Sequence, residues 1–264
     1  MKKILTLILT VVLGVAACFG LTACGEKSDL EKVKENGKLV VGITIYEPMD
    51  YIDPETSEWT GFDAELAQMF AEELGVNCQL VIITWAQKVA ELNSNQIDLV
   101  WNGMTASEEL GKQIDFSVSY AKNAQVAVVK NSSSIASKEG VKAAKVAVEA
   151  GSAGATVAEE EAITTVNPVT AQIDALNEVN AGTSDVAIID ITMAQSVVGK
   201  GEFSDLKILE GVSYGDEIFA VGLRKGSDIK AKLDAFLKAK YADGTITALA
   251  EKYSVGLNTE ALAG

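Results

Sequence analysis

The 264-residue chain contains no histidine and only one arginine, Arg224. Without histidine, neither Ser-His-Asp nor Cys-His catalysis is possible, and the commonest zinc ligand is missing. We therefore expect no metal site and no cofactor, and the sequence assigns no catalytic residue. Arginine is the usual bidentate partner of a carboxylate, so its scarcity restricts how an acidic group on a ligand can be bound.

Cysteine is also scarce, with Cys18, Cys24 and Cys78 as its three copies. The first two fall in the N-terminal segment described below, which leaves Cys78 alone in the rest of the chain. No intramolecular disulfide is then possible, and Cys78 is expected to be a small, buried apolar residue. About 240 residues can bury enough apolar surface to stabilise a domain without a disulfide.

Positive charge is the third shortage, because 22 lysine and arginine residues face 37 acidic ones and the net charge is −15. Removal of Lys2 and Lys3 with a cleaved leader makes it −17. We expect no nucleic-acid partner for such an acidic protein. Its surface should also repel anionic lipid headgroups, so any attachment to a membrane must come from another source.

The N-terminus has the pattern of a secretory leader. Met1-Lys2-Lys3 precedes an apolar stretch from Ile4 to about Leu21, and Leu21-Thr22-Ala23-Cys24 resembles the lipoprotein box of bacterial lipoproteins. About 18 apolar residues could alternatively remain as a transmembrane anchor. The small residues before Cys24 favour cleavage, which predicts a signal peptide at 1–23 and a lipidated tether at 24–37. The resemblance implies a diacylglyceryl group on the Cys24 thiol, which would hold the protein at the extracytoplasmic face of the cell membrane.

Residues 97–117 are the most informative part of the chain. The apolar run from Ile97 to Trp101 predicts a buried strand, Asn102 and Gly103 end it, and a polar helical segment begins near Thr105. In an open α/β sheet, ligands bind outside the carboxyl ends of the strands, where a helix N-terminus offers free N–H groups to an anion. Thr105 followed by Glu108 also fits a capping box, so Thr105 is predicted either to cap this helix or to face a ligand.

The order Gly103-Met104-Thr105, a short acidic helix and Asp115-Phe116-Ser117 resembles the signature of the family 3 solute-binding proteins of ABC importers, which bind polar amino acids. Gly61-Phe62-Asp63 and the segment that begins at Tyr214 add to the resemblance, which covers residues 38–256. In that family the first segment reads roughly Gly-Met-Thr-Ile-Thr-Pro-Glu-Arg, and the arginine binds the α-carboxylate of the amino acid.

Leu110 stands at the position of that arginine. The loss of two charge-assisted hydrogen bonds would weaken binding of a carboxylate by at least about 100-fold unless another group replaces them. The candidates are backbone amides at Thr105 and Ala153, and a point charge from Lys122. Arg224 is expected to be structural.

The resemblance also implies which residues bind the ligand. Family members use two aromatic rings to enclose the ligand's side chain, a glycine-rich turn to hold its carboxylate and an aspartate to hold its α-ammonium. Asp190 occupies the aspartate position and is alternatively predicted to cap the helix that follows it. The complete predicted set, with neighbours in the crevice, is Tyr46, Trp85, Asn102, Gly103, Met104, Thr105, Ser152, Ala153, Asp190 and Glu217.

The implied fold is α/β and two-lobed, of the type II periplasmic-binding-protein kind, with two hinge crossings near residues 121–124 and 214–218. Lobe 1 would comprise 38–121 and 217–264, and lobe 2 would comprise 122–216. The implied function is capture of an amino acid or related amine-bearing solute for an ABC permease by a monomeric protein that is not an enzyme. Two alternatives stay open: a binding subunit for a cationic solute such as a polyamine, and a dehydratase-type enzyme on the same fold.

Overall fold

The computed structural model describes residues 27–264. The predicted signal peptide, Cys18 and the Cys24 lipidation site lie outside these residues. Among residues 27–264, no helix combines the length and the apolar character needed to cross a bilayer.

The first part of the chain builds most of one sheet and the helices around it. Its elements are α1 (Asp29–Asn36), β1 (Lys38–Ile43), β2 (Tyr51–Ile52), β3 (Trp59–Thr60), α2 (Phe62–Leu74), β4 (Asn77–Ile82), a 3₁₀ turn (Trp85–Gln87), α3 (Lys88–Asn93), β5 (Leu99–Val100), α4 (Glu108–Gly111) and β6 (Asp115–Phe116).

The remaining elements build a second sheet and then return to the first. They are β7 (Ala121–Lys130), α5 (Lys138–Lys142), β8 (Val146–Glu149), α6 (Ala153–Glu160), β9 (Val166–Val169), α7 (Gln172–Ala181), β10 (Val186–Asp190), α8 (Ile191–Val197), a 3₁₀ turn (Gly201–Phe203), β11 (Leu206–Phe219), β12 (Gly222–Leu223), α9 (Ile229–Ala242), α10 (Thr245–Tyr253) and α11 (Thr259–Ala263).

The first sheet has the strand order β4-β1-β5-β12-β6. β1 pairs in parallel with β4 and β5, whereas β12 runs antiparallel to β5 and β6. Leu39, Val41 and Ile43 of β1 are fully buried, and they pack in one apolar cluster with Phe62 and Phe70 of α2. The helical spacing of the apolar residues in α2 thus gives this sheet one of its covering layers.

The second sheet has the order β11-β7-β10-β8-β9. β8 runs parallel to β9 and β10, whereas β7 runs antiparallel to both β10 and β11. All five residues of β10 are buried, as expected for a strand covered on both faces. The polar Asp190 at its carboxyl end is therefore held in a rigid, buried position.

The two sheets are joined by β7 and β11, which pair with each other. Ala121 lies opposite Phe219 and Asn123 lies opposite Glu217. The chain thus leaves and re-enters the first sheet through one antiparallel ribbon, which confirms the two crossings predicted from the sequence. We call the part of the molecule around the first sheet lobe 1 and the part around the second sheet lobe 2.

Candidate functional site

A cavity of about 810 Å³ lies between the two lobes, at the carboxyl ends of β1, β5, β8 and β10. Its volume is typical of small-molecule sites, which occupy roughly 300 to 1,000 Å³. The structure brings the whole set predicted from the sequence to its walls, namely Tyr46, Trp85, Asn102, Gly103, Met104, Thr105, Ser152, Ala153, Asp190 and Glu217.

Asp190 is a deeply buried polar group of the cavity, with 3% of its surface exposed. Its carboxylate accepts hydrogen bonds from the side-chain amides of Asn123, Gln125 (2.6 Å) and Gln172. It does not bond to the N-terminus of α8, so the alternative prediction that its side chain caps this helix is wrong. Burial, and then the negative charge of Glu217, raise the pKa of Asp190 to about 6, while the amides lower it in part.

Glu217 shares two of these amide donors with Asp190. One of its oxygens accepts hydrogen bonds from Asn123 (2.7 Å), Gln125 (2.9 Å) and the hydroxyl of Thr105 (3.0 Å). Two carboxylates therefore stand beside each other, joined by neutral amides. No lysine or arginine of residues 27–264 forms a salt bridge with either of them.

The capping box predicted at Thr105 and Glu108 does not form. The helix begins only at Glu108, and its cap is Ser107, whose hydroxyl accepts the N–H of Leu110 at 3.2 Å. Thr105 instead forms a bridge with Phe219, and its hydroxyl donates to Glu217. A tertiary contact thus overrides the local spacing rule, and the short helix α4 does not present its N-terminus at the predicted position.

Two aromatic rings form part of the cavity wall, as predicted. Tyr46 is 2% exposed, and its hydroxyl lies beside the carboxylate of Asp190. Burial, and then the negative charge of Asp190, raise the pKa of Tyr46, so this hydroxyl stays protonated. Gly103 makes room for the ring, because a Cβ there would lie 2.7 Å from Tyr46 Cε1 and its φ of +53° disfavours other residues. Trp85 is also buried.

The side chains of Asn102 and Met104 contact neighbouring residues of lobe 1 and support the cavity wall. Asn102 accepts the backbone N–H of Thr44 and donates to Asp50 at 3.0 Å. The Met104 methyl group packs against Gly222 in an apolar cluster. These two predicted residues therefore shape the loop, whereas the other polar and aromatic members turn functional groups toward the cavity.

The opposite wall is the start of α6. Ser152 caps this helix by accepting the N–H of Ala155 at 3.2 Å, which leaves the N–H groups of Ala153 and Gly154 without acceptors inside the helix. A Cβ on Gly154 would lie 3.2 Å from Oε1 of Gln125, whose amide nitrogen donates to Asp190. The start of α6 therefore lies directly beside the carboxylate network.

The lobes touch at the turn before α6. A Cβ on Gly151 would lie 3.0 Å from the Cα of Ala86 in lobe 1, and the φ of Gly151 is +73°. A second contact joins Ser196 of lobe 2 to Glu47 of lobe 1 at 3.0 Å. The two lobes are therefore in contact across the cleft at these two points, as in a closed form.

Sequence reasoning missed two charged residues in this wall. Lys88 is 8% exposed and donates across the cleft to the carbonyl oxygen of Gly151 at 2.8 Å. Burial lowers its pKa to about 8, although the charge of Glu149 opposes this. Glu149 is 2% exposed, its Oε1 has no partner within the described part of the chain, and burial raises its pKa to about 8.

Three amide residues were missed as well. Asn123 and Gln125 lie on the same face of β7, and two buried amide side chains at this spacing are the signal that could have found them. Gln172, which also accepts the N–H of Asp190 at 2.9 Å, opens helix α7 and gives no such signal.

Leu110 and Lys122 differ in their position relative to the cavity. Leu110 lines the cavity, so the position of the family's arginine does face the ligand space but carries no charge. Lys122 is exposed and lies outside the cavity wall, because it is on the outer side of the first crossing. Lys122, one of the candidates to replace the missing arginine, is therefore not placed to do so. Within residues 27–264, no group of His, Cys, Asp and Glu side chains is placed to hold a metal ion.

Comparisons with known proteins agree with this geometry. L-cystine-binding protein TcyJ of Escherichia coli K12 is 33% identical over 233 residues, which is 85% of each chain. The arginine-binding extracellular protein ArtP of Bacillus subtilis is 32% identical over 269 residues, covering 97% of this chain and 99% of ArtP. A crystal structure of an ABC uptake transporter substrate-binding protein from Streptococcus pneumoniae with bound histidine superposes with a TM-score of 0.78 at 28% identity, covering 86% of this chain and 96% of that one.

Enzymes appear among the matches below 30% identity. Cyclohexadienyl dehydratase of Pseudomonas aeruginosa is 28% identical over 117 residues, or 42% of this chain. The model of the bacterial extracellular solute-binding proteins, family 3, matches residues 39–256, and this span includes both sheets and the whole cavity. The chain therefore belongs to family 3 of the bacterial extracellular solute-binding proteins.

Proposed function

We propose that this protein is the extracytoplasmic substrate-binding component of an ABC importer, and that it captures an amino acid or a related amine-bearing solute between its lobes. The observation that carries the proposal is the pair of carboxylates, Asp190 and Glu217, which face the cavity with neutral amides between them. A ligand ammonium supplies the missing positive charge and donates charge-assisted hydrogen bonds to them.

The other predicted residues fit the rest of such a ligand. Tyr46 and Trp85 offer aromatic surface to its side chain. The N–H groups at the start of α6, beginning with Ala153, are suited to its carboxylate because a helix N-terminus carries partial positive charge. Relatives named for binding cystine, arginine and histidine support an amino-acid ligand.

Calorimetric titration of the protein, after any bound solute has been stripped from it, tests this function. The panel contains the common amino acids, cystine, putrescine, spermidine and choline. We expect saturable one-to-one binding of at least one amino acid. Binding of polyamines or quaternary amines alone would support the cationic-solute alternative, and binding of no compound in the panel would contradict the proposal.

A dehydratase-type enzyme is the second candidate. Asp190 and Glu149, with pKa values raised to about 6 and about 8, have the properties of general acids. We favour a binding protein because the two relatives of 33% and 32% identity, which match 85% and 97% of this chain, are named as binding proteins. Formation of product from an aromatic amino-acid precursor by the purified protein would reverse this choice.

We also propose that the lobes meet at the boundaries predicted from the sequence, with 38–121 and 217–264 in lobe 1 and 122–216 in lobe 2. Closure would then bend the ribbon formed by β7 and β11, and the permease would recognise the closed form. The Gly151 and Ser196 contacts across the cleft support a closed state that a ligand would stabilise. A radius of gyration that does not decrease when the bound amino acid is added would contradict this hinge.

We propose that the protein is a monomer attached to the extracytoplasmic face of the membrane through lipid on Cys24. The support is the lipoprotein box and the acidic surface, which leaves lipid as the means of attachment. Cys24→Ala should release the protein from the membrane fraction or leave it unprocessed, as judged by fractionation and mass spectrometry. A variant that stays membrane-bound and is cleaved at the same site would show that the assignment is wrong.

A further inference from the structure

Lys88 is a buried cation in the cavity wall. It lies at the first position of α3 in lobe 1, and its ammonium donates to the carbonyl oxygens of Gly151 (2.8 Å) and Trp85 (3.3 Å). The same ammonium lies 4.6 Å from the centre of the Trp85 ring. An ammonium has three donors, so one remains for a further acceptor.

The positive charge of Lys88 is not neutralised by the protein. Within residues 27–264 no carboxylate forms a salt bridge with it, although burying an unpaired charge is costly. Glu149 is the charged neighbour that acts on Lys88, but it forms no salt bridge with it, and burial shifts the pKa of both groups to about 8, lowering that of Lys88 and raising that of Glu149. The charge of Lys88 is therefore available to a ligand.

Lys88 also stands in the right place relative to the ammonium site. Its acceptor, Gly151, directly precedes the Ser152 cap, so the lysine and the first N–H groups of α6 converge on one corner of the cavity. Through Gly154 and Gln125 this corner adjoins Asp190. A positive corner beside a negative one matches an α-amino acid, in which the carboxylate and the ammonium are attached to the same carbon atom.

We infer that Lys88 binds the carboxylate of an α-amino-acid ligand, together with the N–H groups at the start of α6, and so replaces the charge that Leu110 lacks. This inference rests on the proposed function and adds that the site selects amino acids over the amines left when the carboxylate is removed. Lys88 reaches the ligand from α3, whereas position 110 reaches the cavity from α4.

The experiment compares pairs of compounds that differ by their carboxylates: arginine and agmatine, cystine and cystamine, histidine and histamine, glutamine and 4-aminobutanamide. Each is titrated calorimetrically into wild type, Lys88→Met, Lys88→Arg and the control Lys122→Met, which removes an exposed lysine outside the cavity. Thermal unfolding checks that each variant is folded. Lys88→Met removes a buried charge and keeps the apolar stem, so it should fold.

We expect Lys88→Met to weaken binding of the preferred amino acid by at least about tenfold, the effect of losing one charge-assisted hydrogen bond. Its effect on the matching amine should be less than about threefold. Lys88→Arg should retain most of the preference for the amino acid, and Lys122→Met should bind as the wild type does.

Three results would overturn the inference while leaving the proposed function intact. Lys88→Met could bind the amino acid as tightly as wild type, which would assign the carboxylate to backbone N–H groups alone. It could weaken the amino acid and the amine equally, which would make Lys88 a contact between the lobes only. Wild type could show no preference within a pair. If wild type binds none of the amino acids in the full calorimetric panel, the proposed function and the inference both fail.

Discussion

Asp190→Asn is expected to weaken binding of the ligand by at least about 30-fold. The Asp190 carboxylate and the ligand ammonium form a buried, hydrogen-bonded charge pair, and removing one partner of such a pair costs about 2 to 5 kcal/mol. The substitution keeps the size of the side chain and places a neutral amide among the existing amide donors. Calorimetry with the amino acid that the panel identifies measures the effect. A matched control is Asp174→Asn, an acidic residue at the start of α7 that is outside the cavity wall.

The pH dependence gives a second readout of the same substitution. Because the pKa of Asp190 is raised to about 6 in the unliganded protein, an ammonium must displace a proton from it at lower pH. Wild-type affinity should therefore fall as the pH drops below about 6, by up to about tenfold per unit, and Asp190→Asn should lose this part of the dependence. Glu149, Glu217, Tyr46 and Lys88 face the same cavity, so the comparison must be made between the two proteins rather than on wild type alone.

With rising pH, the contribution of Asp190 to stability should fall, whereas its contribution to binding should rise. A carboxyl group whose pKa is raised by folding contributes stability that is complete below its unfolded pKa, about 3.9, and is lost as the pH rises through about 6. At pH 7 the buried, charged Asp190 therefore lowers the stability of the unliganded wild type, and the asparagine variant does not have this penalty. A variant that is markedly less stable at pH 7, or that binds within about threefold of wild type, would contradict the assigned role.

The sequence was sufficient for the fold and for one side of the site because local signals there agree with tertiary structure. β10 is uniformly apolar up to Asp190, so its carboxyl end could be located without coordinates. Glycine-rich turns and strand ends likewise placed Tyr46, Ser152 and Ala153 at one edge. Parallel strands bring their carboxyl ends together, which converts positions far apart in sequence into one cavity.

Local signals failed where the outcome depended on residues far away along the chain. Thr105 has the spacing of a helix cap, but its hydroxyl bonds to Glu217, 112 residues away. Lys88 begins a short helix and has the pattern of a solvated lysine, yet Gly151 of lobe 2 buries it. Neither partner can be identified from spacing along the chain, because each contact joins segments that only the tertiary structure brings together.

Arg224 is the residue whose loss should be most damaging to folding. It is 9% exposed and donates to the carbonyl oxygens of Leu92 (2.9 Å) and Ile97 (2.6 Å). Its guanidinium also bonds Asp29 of α1 at 2.9 Å and reaches Asp98 at 3.4 Å. The only arginine of the chain therefore joins α1, the end of α3 and the strand that leads into the cavity.

Arg224→Met should lower the free energy of unfolding by about 3 to 5 kcal/mol, because it removes the buried cation that pairs with two carboxylates of 11% and 16% side-chain exposure and donates to two carbonyl oxygens. The control is Lys225→Met at the next position, whose salt bridge to Asp115 is half exposed and should be worth about 1 kcal/mol or less. Urea unfolding of both variants without ligand measures the difference. Arg224 is absent from the cavity wall, so the folded variant should retain ligand affinity. A loss of stability no larger than that of the Lys225 variant would show that the buried cluster around Arg224 does not hold lobe 1 together.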